Sequence, residues 1–503
     1  MHGHDRYRNM KSSAQQRVRT TRQCSLSDIL WHYDAPGNDE LLRNAALPTA
    51  VAEHMAKLLA QLSTQDLSAR QEELNKAIDR AGVTLSVYSE GDFIDRSWPM
   101  DIVPRLIAAE EWRRIEAGLV QRSTAINHFI QDVYNDSNIV KDKIIPKHLI
   151  KSSESFANVC IGHSPSLNIW ANISATDLVR DIDGTMRVLE DNLRTPTGAS
   201  YLLENRRMMK QAGADFFDSM NVQPVHGYID ALLEALQALS PNDTATIAVL
   251  TPGVHSSDYF EHGYLARELG ALLVEGQDLI VSSEDGFVYA DTIEGLQRID
   301  VIYRRVDDRF LDPEHFNPYS TLGVRGLMNS WLQGRVAMAN APGTGIADDK
   351  VIYSHIPEMI SYYLNEKPIL PNVDTYRCTD DHSLAYILDN MEDLVIKTAN
   401  ESEGYGIVLG HQLTREETRN LCKLMNDNPR NYIAQPLIQL STCPTATPSG
   451  LQARHVDLRP YIIQGEATYV TRGGLTRVAS SHDSQVTDPS PEEGSKDTWV
   501  VEC

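Results

Sequence analysis

Between residues 227 and 303 helical apolar spacing alternates with short β-branched runs, and an open sheet flanked by helices is the arrangement that buries both. The segment reads helix 227–239, strand Thr246-Ile-Ala-Val-Leu250, loop Thr251-Pro-Gly-Val-His255, helix 257–269 and strand Ala271–Val274. A further strand, Asp300-Val-Ile-Tyr303, ends at Arg304-Arg305. Ligands of such sheets bind beyond the carboxyl ends of the strands, so loops 251–256 and 304–308 form the expected substrate site. Upstream, Thr49–Leu62, Gln65–Gly82 and Arg105–Tyr134 carry apolar residues at three- and four-residue spacing, which predicts a helical region over 25–150. Trp98-Pro-Met-Asp-Ile-Val-Pro104 reads as a rigid joint within it. Residues 167–173 and 185–190 read as strands, and 199–211 as a helix. The last third reads helix 351–364, strand Leu394-Val-Ile-Lys397, a glycine-rich turn at 402–406 and a helix at 414–427. Strands follow at 432–440, 454–464 and 467–472, with polar loops at Ser441–Gly450 and 480–497.

A chain of 503 residues exceeds one simple core, so two or three domains are expected. The net charge of −23 argues against a general nucleic-acid or anionic-membrane binder, which needs clustered Lys and Arg. The six cysteines are scattered without a Cys-x-x-Cys, fitting reduced thiols and giving no zinc pattern. No apolar run reaches the roughly 18–20 residues of a membrane span. Met1–Gln23 is polar and arginine-rich and reads as a disordered leader, not a secretory signal, so a cytoplasmic location is expected.

One hairpin carries a chemical signal. Asp183-Gly184 is a two-residue turn signal, and closing the strands there pairs 182 with 185, 180 with 187 and Asp177 with Glu190. Two facing carboxylates are unfavourable unless a cation lies between them. Asn192 shares the face of Glu190, and two carboxylates with an amide oxygen suit Mg²⁺ or Mn²⁺. A solvated hairpin with its acids in water would read the same way.

Several later residues suit a polyphosphate. Lys397 ends an apolar strand beside Ser402-Glu-Gly404-Tyr405-Gly406, where a cation and backbone N–H groups can meet phosphates; a tight turn is the plainer reading. Lys350 follows Asp348-Asp349 at an expected helix start, where an exposed lysine is common. Gln435-Pro436-Leu437 interrupts a strand, freeing backbone groups that a purine could use, although an edge strand would do likewise. Arg459, Arg472 and Arg477 lie around Gly473-Gly474 and suit a transferring phosphoryl group or a carboxylate, if they converge. His255 and His262 are read as ordinary core or surface histidines.

Together these stretches resemble a circularly permuted ATP-grasp protein, of the family related to glutathionylspermidine synthase. The resemblance rests on Asp177-Leu-Val-Arg, Leu189-Glu-Asp-Asn-Leu-Arg-Thr-Pro-Thr-Gly198, Asp349-Lys350, Val395-Ile-Lys397 and Gly404-Tyr-Gly406. Asp457-Leu-Arg459-Pro, Gly473-Gly-Leu-Thr-Arg477 and Gly494-Ser-Lys-Asp-Thr-Trp499 complete it. Relatives usually place two glycines before the loop tyrosine, whereas this chain has Glu403-Gly404. The resemblance implies an α/β (α+β) fold in which the metal strands precede the nucleotide strands. Its divisions are a leader 1–24, the helical region 25–150, metal-binding strands 151–212, a small open α/β pre-ATP-grasp domain 213–335 and the nucleotide-binding remainder 336–503.

It also implies roles. Asp177, Glu190 and Asn192 would hold one or two Mg²⁺. Lys350, Lys397, Gly404, Tyr405 and Gly406 would contact the ATP phosphates, and Gln435, Pro436 and Leu437 the adenine. Arg459, Arg477 and Arg194 form the catalytic set, with Thr197, Gly198, Arg304 and Arg305 as substrate contacts. The implied activity is an ATP-dependent carboxylate–amine ligase working through an acyl phosphate on a small molecule or peptide. A non-catalytic ATP-binding scaffold and a phosphoryl transferase remain as alternatives. Family members are often encoded beside a helical protein and a transglutaminase-like protein, which are the implied partners.

Overall fold

The computed structural model describes residues 33–44, 46–89, 92–242, 244–399, 406–480 and 494–502; the leader and most of the 402–406 turn lie outside them. The alternating segment forms the expected parallel sheet. Val301–Arg304 lies between Ile247–Leu250 and Ala337–Ala339, and Leu272–Val274 closes the other edge. The helices Gly227–Gln237 and Tyr259–Leu269 bury Leu232, Leu236, Leu265 and Leu269, the apolar positions of the helical spacing. Ala337–Ala339 escaped the sequence pattern because a three-residue alanine-rich strand has almost no β signature. An antiparallel meander, Leu279–Val281, Val288–Thr292 and Gly295–Ile299, was equally unanticipated.

Two small antiparallel sheets make up the rest of the centre. One runs Thr468–Val470, Tyr461–Gln464, Ile173–Arg180, Met186–Asn192; the other runs Tyr376–Arg377, Tyr432–Pro436, Leu394–Thr398, Ile407–Leu409. The helix Ala109–Tyr134 runs through the main core, burying Trp112, Ile126, Phe129 and Ile130.

The region 25–150 is not wholly helical. Thr84–Ser89 and Asp92–Ser97 form a hairpin, and Met100–Ala108, expected to be a joint and a helix start, is a strand buried along its length. That strand runs parallel to Gly494–Val501, whose first half falls in the segment expected to be a polar loop. A strand buried on both faces loses its alternation, so periodicity could not separate it from helix. Pro104 falls in the register irregularity between the Lys496 and Thr498 pairings, where a missing N–H is tolerated. Three further expectations change. Residues 167–172 are turn and 3₁₀ structure, and the strand is Ile173–Arg180. Helix 351–364 is two helices, Lys350–Tyr353 and Ile356–Leu364, broken at Ser354-His355 ahead of Pro357. Ser441–Gly450 is largely strand, Thr442–Thr447 pairing with Gly450–His455.

Gly198 shows how tightly the loop after the strand Met186–Asn192 is built. Its φ is +106°, and a Cβ there would meet the Tyr461 hydroxyl at 2.3 Å and Leu475 at 2.9 Å. That hydroxyl donates to the Thr197 carbonyl at 2.9 Å. Gly198→Ala should therefore cost about 2–4 kcal/mol from backbone strain and overpacking together. Urea melts will check it; a loss within about 0.5 kcal/mol, usual for a neutral surface change, would show that the loop gives way.

Candidate nucleotide and metal site

Asp177 does face Glu190, but by a different route from the one the turn implied. The hairpin closes through a longer loop, with Asp181 N–H donating to the Thr185 carbonyl. Arg180 then pairs with Met186 and Val179 with Arg187, one residue out of the expected register. An irregularity between Asp177 and Leu178, opposite Leu189, restores the pairing. The side chains that need to meet do so because the bulge cancels the loop's extra residue.

On the other side of Asp177 runs the strand leading into Tyr461–Gln464. Leu178 bridges Leu458, placing Arg459 opposite Asp177, and Arg459 in turn bridges Leu475. Val456 bridges Val478, which sets Asp457 opposite Arg477. One face of the sheet thus carries Glu190, Asp177, Arg459, Asp457 and Arg477. Asp177 is 1% exposed and accepts from Arg459 Nε at 2.6 Å, Arg459 Nη2 at 2.7 Å and Arg477 Nη2 at 3.0 Å. Arg477 also grips the Asp457 carboxylate. Burial alone would raise the Asp177 pKa, but Arg459 and then Arg477 outweigh it and hold the carboxyl well below the usual range. The two arginines converge as expected, although both hold carboxylates. Arg472 is exposed and does not join them.

Lys397 approaches from the second sheet and Lys350 from the helix Lys350–Tyr353. Lys350 follows the N-cap Asp349, whose side chain accepts from Val351 and Ile352 N–H and pairs with Arg430. Lys350 Nζ lies 3.9 Å from Glu190. Lys397 is 6% exposed. Burial pushes its pKa down to about 8, with Glu190 opposing and Lys350 reinforcing the shift. Such a lysine is held ready for an anion. A phosphate beside it would restore its charge, so Mg-ATP binding above pH 8 should take up a proton. Affinity should then fall about tenfold between pH 7 and pH 9, since one pKa unit is a tenfold change. Titration calorimetry in two buffers of different ionisation enthalpy reads the uptake directly. Lys397→Met should abolish both effects; a pH-independent wild type would remove Lys397 from the phosphates. The same shift makes the fold itself gain stability as pH rises from about 8 towards the unfolded lysine value near 10.4.

The remaining residues divide. Gln435 is 2% exposed, donates to Thr375 Oγ1 at 3.1 Å, and has a buried Oε1 without a partner, an acceptor suited to a purine amino group. Pro436 pairs within its strand opposite Leu394, and the Leu437 N–H donates to the Asp393 carbonyl. The donor expected to be free at 437 is therefore used internally. Gly406 has φ +79°, and Gly404 and Tyr405 lie outside the described residues.

Arg194 pairs with Asp348 at 2.7 Å and Asp307 at 2.9 Å, joining the 194–198 loop to the segment before Lys350 instead of meeting Arg459 and Arg477. Arg304 is fully buried, donating to the Asn340 and Val306 carbonyls and pairing with Asp308. Arg305 holds the Pro196 carbonyl and Glu261. Both arginines are scaffold in this geometry and present no open face to a substrate. Thr197 and Gly198 belong to the loop they hold, where Glu261 accepts from Gly198 N–H, Ser200 N–H and the Ser200 hydroxyl. His262 bonds the Thr251 hydroxyl at 2.8 Å, and burial followed by Arg305 keeps it neutral.

The donor set fits a hard divalent ion. Among the described residues no three His, Cys, Asp or Glu side chains gather in a metal-binding group. The present set is two carboxylates with the Asn192 amide oxygen two residues beyond Glu190 on the same strand face. A carboxylate has about four lone-pair positions, so Asp177 keeps acceptor capacity beside its arginines.

Two small sheets, one bearing carboxylates and arginines and the other Lys397, with Lys350 on a helix beside Glu190, define the ATP-grasp class. The chain belongs to the circularly permuted ATP-grasp type 2 family, whose model matches residues 104–479. A protein of Synechocystis sp. is 49% identical over 478 residues, 94% of this chain and 99% of its own. One from Mycobacterium tuberculosis is 44% identical over 446 residues, 88% of this chain and 80% of its own. A Frankia casuarinae protein named "Putative glutamate--cysteine ligase 2-2" is 36% identical over 492 residues, 94% of this chain and 54% of its own. This chain spans about half of that relative. Among the described residues no helix is long and apolar enough to cross a membrane.

Proposed function

We propose that the protein is an ATP-dependent, Mg²⁺-requiring ligase that joins a carboxylate to an amine. The observation that carries this reading is the gathering of Asp177, Glu190, Arg459 and Arg477 on one sheet face with Lys350 against Glu190. The name of the Frankia relative, an enzyme of the same bond-forming class, points the same way. Lys350 and Lys397 bind the phosphates of ATP, and Gln435 meets the adenine. Asp177, Glu190 and Asn192 hold Mg²⁺, which neutralises charge on the phosphates when bound. Arg459 and Arg477 face the transferring group. A substrate carboxylate oxygen attacks the γ-phosphorus, the bond to the β–γ bridging oxygen breaks, and ADP leaves. An amine nitrogen then attacks the acyl carbon, phosphate departs, and the nitrogen loses a proton to give the amide.

ADP release screened over amino acids, polyamines and short peptides, with mass spectrometry of the products, tests this. The expected product has the mass of acid plus amine less one water. ATP binding with no turnover on any pair would favour a scaffold, and a stable phosphorylated product would favour a phosphoryl transferase.

A further inference from the structure

The residues ahead of the family match contain one side chain whose placement bears on this site. Glu40 lies in the segment Tyr33–Asn44, outside residues 104–479, and is 2% exposed. It accepts from Arg105 Nη2 at 2.6 Å and Arg105 Nε at 2.9 Å, and lies 3.2 Å from Arg180 Nε. Ser441 also donates its hydroxyl to Glu40. The backbone is stitched to the same place: Glu40 N–H donates to the Thr442 carbonyl at 2.8 Å and Thr442 N–H to Asn38 at 3.3 Å.

Each guanidinium that Glu40 holds grips a strand of the candidate site. Arg105 is fully buried and donates from Nη1 to the Asp457 carbonyl at 2.7 Å; the Asp457 carboxylate holds Arg477 on the other face. Arg180 lies on the Asp177 strand, at an odd spacing and so on the opposite face. It also pairs with Glu111 and donates to the Gly184 carbonyl in the hairpin loop. Glu40 is therefore a single anion behind the sheet, bridging two cations that fix two strands. Those strands carry Asp177 and the Asp457–Arg477 pair at the front. An ordinary core staple could be apolar, and a buried charge network is weak as a source of stability. The bonds of Glu40 to Arg105 do fix direction and spacing, being short and charge-assisted, while Arg180 is held by charge at 3.2 Å.

We infer that Glu40 is a positioning residue for the proposed metal and phosphoryl-transfer centre, supplied by a segment outside the family's matched region. This inference rests on the proposed function. Glu40→Gln keeps the shape and removes the charge. The test is Mn²⁺ binding, read by electron paramagnetic resonance, to protein saturated with a non-hydrolysable ATP analogue. The variant should lose roughly tenfold in Mn²⁺ affinity, the scale seen when an outer support of a metal site is removed. Its metal-free affinity for the analogue should barely change. Because Glu40→Gln leaves buried Arg105 without a carboxylate, while Arg180 keeps Glu111, and could fail to fold, a Glu40→Met, Arg105→Met double variant is measured beside it. Replacing the pair by apolar residues should restore the melting temperature and leave Mn²⁺ affinity low. Wild-type Mn²⁺ affinity in Glu40→Gln, or recovery of both properties in the double variant, would overturn the inference and leave the ligase reading standing. A wild-type protein that binds no Mn²⁺ beside the analogue would overturn the proposed site and the inference together.

Discussion

Asp177→Asn should lose both turnover and a large part of the fold's stability. The carboxylate is 1% exposed and compensates two guanidiniums, Arg459 through both oxygens and Arg477 through one. Removing one partner of a buried ion pair costs about 3–5 kcal/mol, because the other charge stays buried. Retention of the Arg477–Asp457 contact places the expected loss at the lower end of that range. The pH dependence follows from the depressed pKa. The stabilisation is complete above the unfolded aspartate value near 4 and is lost as pH falls below it towards the folded value. Acid titration of stability should therefore be shallower in Asp177→Asn. Glu190→Gln provides the contrast. Its side chain is 29% exposed and its cation neighbour lies at 3.9 Å, so it should melt within about 1 kcal/mol of wild type and still fail to turn over. Chemical denaturation of the two variants beside ADP release checks both statements. Equal stability in Asp177→Asn and wild type would mean that the arginine clamp is not formed in solution.

The same clamp predicts how the site would meet the proposed metal. Arg459 and Arg477 hold the Asp177 carboxylate and Lys350 adjoins Glu190, so positive charge lines the place a divalent ion would take. A guanidinium about 5 Å from a divalent ion opposes it by several kcal/mol at an effective dielectric near 20. Wild type should therefore bind Mn²⁺ weakly without nucleotide and well with it, since the phosphates bring the missing negative charge. Arg459→Gln should raise nucleotide-free Mn²⁺ affinity at least about tenfold, a change needing only 1.4 kcal/mol. It should lower turnover, because a cation facing the transferring group is lost. Titration of Mn²⁺ with and without ATP measures the first effect and steady-state ADP release the second. Tight Mn²⁺ binding by nucleotide-free wild type would contradict the clamp.

The readable parts of this site were those set by local pattern. Asp177 and Glu190 were paired correctly from a turn that closes differently, because a loop one residue longer and a bulge at Leu189 offset each other. No local rule foretells that compensation. The parallel sheet at 247–304 was legible because helical and strand periods alternate cleanly there. Met100–Ala108 was not, since a strand buried on both faces shows no alternation and its partner, Gly494–Val501, lies at the far end of the chain. Arg304 and Arg305 looked like substrate contacts by position at strand ends, yet backbone carbonyls and Glu261 consume them. Glu40 was missed altogether. Its partners Arg105 and Ser441 are far away in sequence, and only the folded arrangement brings them to one carboxylate.

In the proposed reaction this site activates a carboxylate as an acyl phosphate. The direct measurement uses the carboxylate substrate that supports ADP release, labelled with ¹⁸O in both carboxyl oxygens. Attack of that carboxylate on the γ-phosphorus carries one labelled oxygen into the phosphate released when the amide forms. Mass spectrometry of the inorganic phosphate should therefore find one ¹⁸O per amide made. Unlabelled phosphate accompanying amide formation would rule out the acyl phosphate.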